Sequence, residues 1–225
     1  MRLHVSPRRH GIGLALALTI LGAGSSSAQW SGPFVGAELL GSLDSVDTTE
    51  TTAATGSVFH KFTSSGSGIG GGVNLGYNWQ LPQSPFVFGA LASFDGLSNG
   101  TGNVFHTSDD YAGLFEARAG YLSNPVLLWY GETGLALAQE NVTANLGGPT
   151  TSLSRTVTGY ALGGGVEWAL PAHTLAIAAG TSLFFDYQHI WWESGTLTTP
   201  AAAPTLNFGW QRESNIVRLG VRLHF

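Results

Sequence analysis

Ile69-Gly70-Gly71-Gly72-Val73-Asn74-Leu75-Gly76-Tyr77-Asn78-Trp79-Gln80 puts Ile69, Val73, Leu75, Tyr77 and Trp79 on one parity, with Asn74, Asn78, Gln80 and glycines on the other. A period of two marks a strand with one apolar face. The end of the chain repeats the pattern: Val217, Leu219, Val221, Leu223 and Phe225 alternate with Arg218, Gly220, Arg222 and His224. A water-facing sheet reads the same way, so the rest of the chain has to decide.

Eight such segments are read, at Phe34–Leu43, Ile69–Gln80, Phe86–Gly96, Tyr111–Tyr121, Val126–Gln139, Arg155–Ala169, Thr174–His189 and Arg212–Phe225. Each reaches the roughly 9–11 residues with which a tilted strand crosses a bilayer. The connections alternate in length. Leu81–Pro85, Leu122–Pro125 and Leu170–His173 are tight and carry turn-forming residues. Asp44–Gly68, Leu97–Asp110, Glu140–Ser154 and Ile190–Gln211 are long and rich in Thr, Ser, Gly, Asn and Pro. The pattern predicts an all-β fold, an eight-stranded antiparallel up-and-down transmembrane β-barrel with its short turns in the periplasm. Closure removes the strand edge that lipid could not satisfy. Trp79, Phe86, Tyr121, Trp168 and Phe225 fall near the short turns, and Tyr111, Tyr160, Phe185, Tyr187 and Trp191 near the long ones. Two aromatic girdles follow, one for each membrane interface.

Residues ahead of the first strand read as an export signal. Arg2, Arg8 and Arg9 precede an apolar run over Gly11 to Gly24, and Ser26 and Ala28 set a cut between Ala28 and Gln29. The expected organisation is therefore a signal peptide over 1–28, removed, and a barrel over 29–225. Cleavage leaves 9 − 3 = 6 basic residues against 14 acidic ones, a formal charge of −8. That balance has nothing of the basic stripe of a nucleic-acid binder. The chain has no cysteine, so no disulfide supports it. Only 10% of its residues are charged, against about 25% in soluble domains, which favours a surface that meets lipid.

With the apolar parity outward, Glu38, Asp95, Glu116, Arg118, Glu132, Arg155, Glu167, Asp186, Arg218 and Arg222 point inward. On the lipid face a mid-membrane Arg costs about 2–4 kcal/mol, and in a soluble sandwich these groups would enter the core, so a polar lumen suits them best. Eight strands leave an interior just wide enough for side chains. The cluster reads either as a plug of paired charges packed with Gly, Ala and Phe184, or as a narrow gated pore.

Gly76-Tyr77-Asn78-Trp79-Gln80, Phe86-Val87-Phe88-Gly89, Arg118-Ala119-Gly120-Tyr121 and Gly163-Gly164-Gly165-Val166-Glu167-Trp168-Ala169-Leu170, with Trp30-Ser31-Gly32-Pro33-Phe34-Val35-Gly36-Ala37 at the start, resemble the small porin-like outer-membrane β-barrel family, related in architecture to opacity proteins and the OmpA barrel. The resemblance implies an integral protein of the Gram-negative outer membrane, in contact with its lipid and lipopolysaccharide and contributing to envelope integrity, host contact or antigenicity. Some relatives are proposed to bind haem or conduct solutes. Leu223 and the terminal Phe225 resemble the signal read by the barrel assembly machinery. Tyr187-Gln188-His189-Ile190 departs from the acidic, Tyr-rich segment that relatives commonly carry there.

An enzyme is the rival from another class. His106-Thr107-Ser108, with Asp109 or Asp110 to orient the histidine, has the His-x-Ser spacing of lipid A deacylases, but it falls in a loop-like stretch. His60 and His106 lack a paired spacing for haem or a metal, so no cofactor is expected. Phe59, His60, Phe62, Phe105, Trp191, Trp192 and Trp210 are the apolar residues of the long connections, where recognition of a host or surface ligand would reside, unless they pack on one another or anchor at the interface. The expected function is structural or surface-interactive, with a narrow ion-conducting pore second and a lipid-modifying enzyme third.

Overall fold

A computed structural model describes residues 30–98, 105–144, 151–171, 178–199 and 205–225. The expected signal peptide, its Ala28/Gln29 cut and the start of the segment drawn at Thr174 lie outside them. Nine antiparallel strands form one sheet: β1 Gly32–Thr52, β2 Val58–Gln80, β3 Phe86–Ser98, β4 Phe105–Asn124, β5 Leu127–Ala144, β6 Thr151–Ala169, β7 Gly180–Trp192, β8 Gly195–Thr199 and β9 Leu206–His224. From β1 to β7 each strand pairs with the next, β7 and β8 both pair with β9, and β1 pairs with β9, closing the ring.

That ring has eight members, because β8 continues β7. Trp191 pairs with Glu213 and Gly195 with Trp210, so three residues on one side face two on the other. One extra residue is a β-bulge, which interrupts pairing and bends the strand. Glu193, at the break, is tied sideways to β6: its N–H donates to the Thr158 carbonyl (2.8 Å) and its carboxylate accepts from the Thr158 hydroxyl (3.0 Å).

The strands run well past the membrane-crossing lengths drawn from the sequence, and this corrects the expected long loops. Much of Asp44–Gly68 is a hairpin whose register continues to Thr51↔Val58, and Glu140–Ser154 is paired as far as Ala144↔Thr151. These Thr- and Ser-rich stretches keep the period of two: Asp44, Val46, Thr48 and Glu50 are buried, while the residues between them are more exposed. β-branched Thr suits a pleated surface whether or not lipid covers it.

Outward apolar residues form one band. Leu39, Leu43, Ile69, Val73, Leu75, Phe115, Leu135, Leu162, Leu219 and Val221 are exposed around the ring, with Trp79, Phe86, Tyr121, Trp129 and Trp168 at its turn side and Tyr111, Tyr160, Tyr187 and Trp191 at its loop side. Ile69 is 77% and Leu39 71% exposed. So much open apolar surface is stable only in hydrocarbon. Among the described residues no helix is long and apolar enough to cross a membrane; the strands do the crossing.

Candidate functional site

The candidate site is the lumen, built from alternate residues of the strands. From base to top β9 alone contributes His224, Arg222, Arg218, Ile216, Ser214, Arg212, Trp210 and Phe208, all buried. Large inward groups sit opposite glycines on neighbouring strands: Glu38 between Gly72 and Gly220, Tyr130 between Gly120 and Gly165, Gln188 beside Gly163. A Cβ on Gly72 would lie 2.0 Å from Asp95 Oδ1, one on Gly163 2.5 Å from Gln188 Cγ, and one on Gly220 2.5 Å from the Phe184 ring. Eight strands leave no further room, so the inward glycines are the space in which the charges sit.

Two linked clusters fill the middle. Arg218 reaches Asp95 at 3.1 Å, Glu38 at 3.6 Å and Asp186 at 3.9 Å, and donates to Gln188 Oε1. The Gln188 amide then donates to Glu116 (2.6 Å) and Glu132 (2.8 Å). Nearer the base, fully buried Glu167 accepts from Arg222 (2.7 Å), Arg118 (2.9 Å) and Ser182 (2.6 Å), and meets His224 Nε2 at 3.0 Å. Arg118 lies 3.9 Å over the Tyr130 ring and Arg222 3.8 Å over that of Phe184. The Tyr130 hydroxyl donates to Asp186 (3.2 Å) and the Asn74 amide to Glu38 (2.6 Å), joining the clusters.

Nine of the ten charged residues singled out from sequence therefore converge here. Arg155 stands apart and higher, 26% exposed, against Glu140 at 3.0 Å. The sequence reading did not name Asp44, Tyr130, Glu140, Gln188 or Arg212 as inward groups, and it put Asn74 and His224 on the polar parity without assigning them to the network. Asp44, Glu140 and Arg212 lay in or beside stretches taken for loops, yet inward parity carried through those stretches would have found them.

Ser182, His224 and Glu167 together have the composition of a catalytic triad. Both the serine oxygen (2.9 Å) and the carboxylate (3.0 Å) meet the same ring atom, Nε2. A relay needs the acid on one nitrogen and the nucleophile on the other, so this group is a structural knot. His106 and Ser108 lie on β4 rather than in a loop, paired with Thr143 and Asn141. Among the described residues no three of His, Asp and Glu gather as a metal ion would require.

Three clusters of buried apolar residues lie at successive heights of the lumen. Trp30, Val87, Leu128, Tyr130 and Ala169 form a floor, where the Trp30 indole donates to the Pro125 carbonyl (3.1 Å). Leu40, Leu114, Ala136, Ala161, Ile190 and Ile216 form a septum above the charges. Val46, Val142, Leu197, Leu206, Phe208 and Trp210 form a cap, with Phe62 and Leu153 against it. Between septum and cap, Ser214 links Asp44 to the Trp192 indole, and Glu140 gathers Arg155, Arg212 and Trp210. Of the apolar candidates for recognition, Trp192 and Trp210 are thus inside, Trp191 stacks on Tyr160 in the outer girdle, and His60 packs on Phe62. The side chains of Phe59 and Phe105 lie outside what is described.

The family model for the outer membrane protein beta-barrel domain matches residues 13–224. The chain belongs to that family. It is 34% identical over 116 residues to the 31 kDa outer-membrane immunogenic protein of Brucella melitensis, a match covering 46% of this chain and 48% of that one. To the 22 kDa outer membrane protein of Rhizobium leguminosarum bv. viciae it is 36% identical over 100 residues, 44% of each. It thus spans about half the length of the curated relatives it matches. Among solved structures it is similar to Neisserial surface protein A (TM-score 0.41, 16% identity, 83% of this chain and 97% of that one). The attachment invasion locus protein Ail of Yersinia pestis gives a TM-score of 0.35 at 15% identity, covering 83% and 98%. Family and band together place the protein in the bacterial outer membrane, in contact with its lipid.

Proposed function

We propose that this outer-membrane barrel is closed, neither conducting nor catalytic, and serves the envelope as a structural element whose hairpins meet ligands at the cell surface. The observation that carries the reading is the lumen: a charge network lies between an aromatic floor and an aliphatic septum, with a second apolar layer above. An ion crossing it would have to break buried ion pairs and then shed its water at the septum, and desolvating a charge there costs several kcal/mol. The name of the Brucella relative, an immunogenic outer-membrane protein, supports surface exposure. Leu223, beside Val221 on the outward face of β9, and Phe225, whose N–H donates to the Pro33 carbonyl (3.0 Å), are the residues we assign to recognition by the barrel assembly machinery.

A narrow pore is the second reading, favoured by the unbroken polar chain from His224 to Glu116. Refolded protein in a planar bilayer separates the two. A closed barrel gives no discrete current steps, whereas openings that vanish in Glu132→Gln would assign a pore. Mass spectra of lipid A from expressing cells address the enzyme: unchanged acylation agrees with the proposal, and a lost or gained acyl chain overturns it.

A further inference from the structure

Two rows of the inner wall repeat one arrangement. On three adjacent strands an asparagine, a glycine and an arginine stand in register: Asn74, Gly36 and Arg222 on β2, β1 and β9, and Asn78, Gly89 and Arg118 on β2, β3 and β4. The spacing is nearly the same in both. A Cβ on Gly36 would lie 2.6 Å from Asn74 Oδ1 and 3.0 Å from Arg222 Cγ, and one on Gly89 2.5 Å from Asn78 Oδ1 and 3.0 Å from Arg118 Cγ. In the first row the ends are joined: Arg222 Nε donates to Asn74 Oδ1 (3.3 Å), and the Asn74 amide donates to Glu38 (2.6 Å). In the second they are not. Asn78 is fully buried and Arg118 only 3% exposed, yet Asn78 Nδ2 and Oδ1 and Arg118 Nε and Nη1 have no hydrogen-bond partner among the described residues.

We infer that the space over Gly89 is a binding site for a small monovalent anion of the size of chloride, held between Asn78 and Arg118. Buried polar groups without partners are rare in folded proteins, because each has lost its water with no replacement. Here the unpartnered groups are donors in excess: Arg118 Nε carries one N–H, and Arg118 Nη1 and Asn78 Nδ2 two each, against the single Asn78 carbonyl. Neither end of the Asn78 amide is otherwise bonded, so its NH2 turns to the site at no cost in hydrogen bonds. A ligand that only accepts therefore satisfies more of these groups than water, which needs acceptors for its own hydrogens.

Charge agrees with that choice. Within ion-pair distance Arg118 and Arg222 share one carboxylate, Glu167, at 2.9 and 2.7 Å, so two positive charges face one negative. The acid-rich part of the lumen lies around Arg218, which is shared by Glu38, Asp95 and Asp186. Val87 and Leu91, the inward neighbours of Gly89 along β3, are buried and apolar. They restrict the polar space to the width of one residue, which suits a single-atom anion and excludes a larger one.

The test refolds the full chain into lipid vesicles in sodium chloride, in sodium bromide and in sodium isethionate, whose anion is too large for the site, and compares the urea transitions at equal ionic strength. A saturable stabilisation by the two halides is expected: well above the dissociation constant, each tenfold rise in halide lowers the unfolding constant roughly tenfold, as one ion bound per folded molecule requires. Asn78→Leu should abolish this response. Asn74→Leu, the same change in the row that is already joined, should lower stability and keep the response, which separates loss of stability from loss of the site. Crystals grown in bromide should show an anomalous peak between Asn78 and Arg118. The halide response and the bromide position of the parent protein decide the matter even where a variant does not refold. Stability indifferent to halide overturns the inference: with a bromide peak at the site it means an adventitious ion only, and with an ordered oxygen there it means a buried water. A response that Asn78→Leu leaves intact, or a bromide peak elsewhere, overturns it too. Planar-bilayer currents bear on none of these outcomes, so the closed-lumen reading stands or falls separately.

Discussion

Arg218 is held by acceptors from three strands, Glu38 of β1, Asp95 of β3 and Asp186 with Gln188 of β7. Removing its guanidinium leaves three buried carboxylates facing one another, and breaking a buried charge network in this way costs about 3–5 kcal/mol. Arg218→Leu should lower the urea midpoint of the refolded barrel accordingly, and adding Asp95→Asn should recover part of the loss. A single variant as stable as the parent would mean that the network contributes nothing. The glycines make a paired prediction. Gly72→Ala drives a methyl into Asp95 and should cost about 1–3 kcal/mol. Outward Gly131, whose nearest neighbour to an added Cβ is a carbonyl oxygen at 3.8 Å, should accept Ala with no loss, or a gain of about 0.5–1 kcal/mol from reduced chain entropy. Thermal or urea unfolding of the two variants side by side measures the difference. The sidedness of the charges was legible in the sequence because it follows from parity alone. Their partners were not: which carboxylate meets Arg218 depends on the register of strands far apart in the chain.

At the scale of the strands, what the sequence hid was their length. Hydropathy marks a strand where lipid demands an apolar face, and it fades at Ser45 and Ser67, where lipid ends but pairing continues. Thr- and Ser-rich hairpins then look like loops, although Val46 and Thr48 keep the inward parity of Leu40 and Ser42. The break between β7 and β8 was equally silent, since a one-residue bulge at Glu193 leaves no mark in hydropathy. The boundary of the lipid band can be measured along one strand. Leu39→Arg, on the mid-band face of β1, should cost about 2–4 kcal/mol in bilayer refolding, and Thr49→Arg, above the band, about 0–1 kcal/mol. Equal costs at the two positions would remove the membrane boundary drawn here.

The molecule as a whole is a barrel whose described hairpins rise past the membrane band. Past the band, among the described residues, β2, β1, β9 and β8 pair with one another and so do β4, β5 and β6, and residues of both groups, Val46 and Trp210 with Val142, meet in the cap. The membrane sets the cylinder, while the cap is held by burial of aliphatic and aromatic groups as in a water-soluble core. This division explains why the barrel could be read from periodicity, which lipid imposes on every strand, and the cap could not, since it is made by contacts between distant hairpins. Trp192 and Trp210, read from sequence as loop aromatics, are buried for this reason. It also gives the molecule an inside and an outside that chemistry can distinguish. Lys61 stands on the loop side above the band, and Trp30, close behind the expected Ala28/Gln29 cut, seals the turn side.

The most direct measurement is therefore labelling of intact expressing cells with a membrane-impermeant amine reagent, followed by peptide mass spectrometry. The account predicts modification at Lys61 in intact cells, with the amino terminus of the mature chain reacting only after the outer membrane is permeabilised. Modification of the amino terminus in intact cells with Lys61 protected would contradict it, placing the short turns outside and the hairpins within the periplasm.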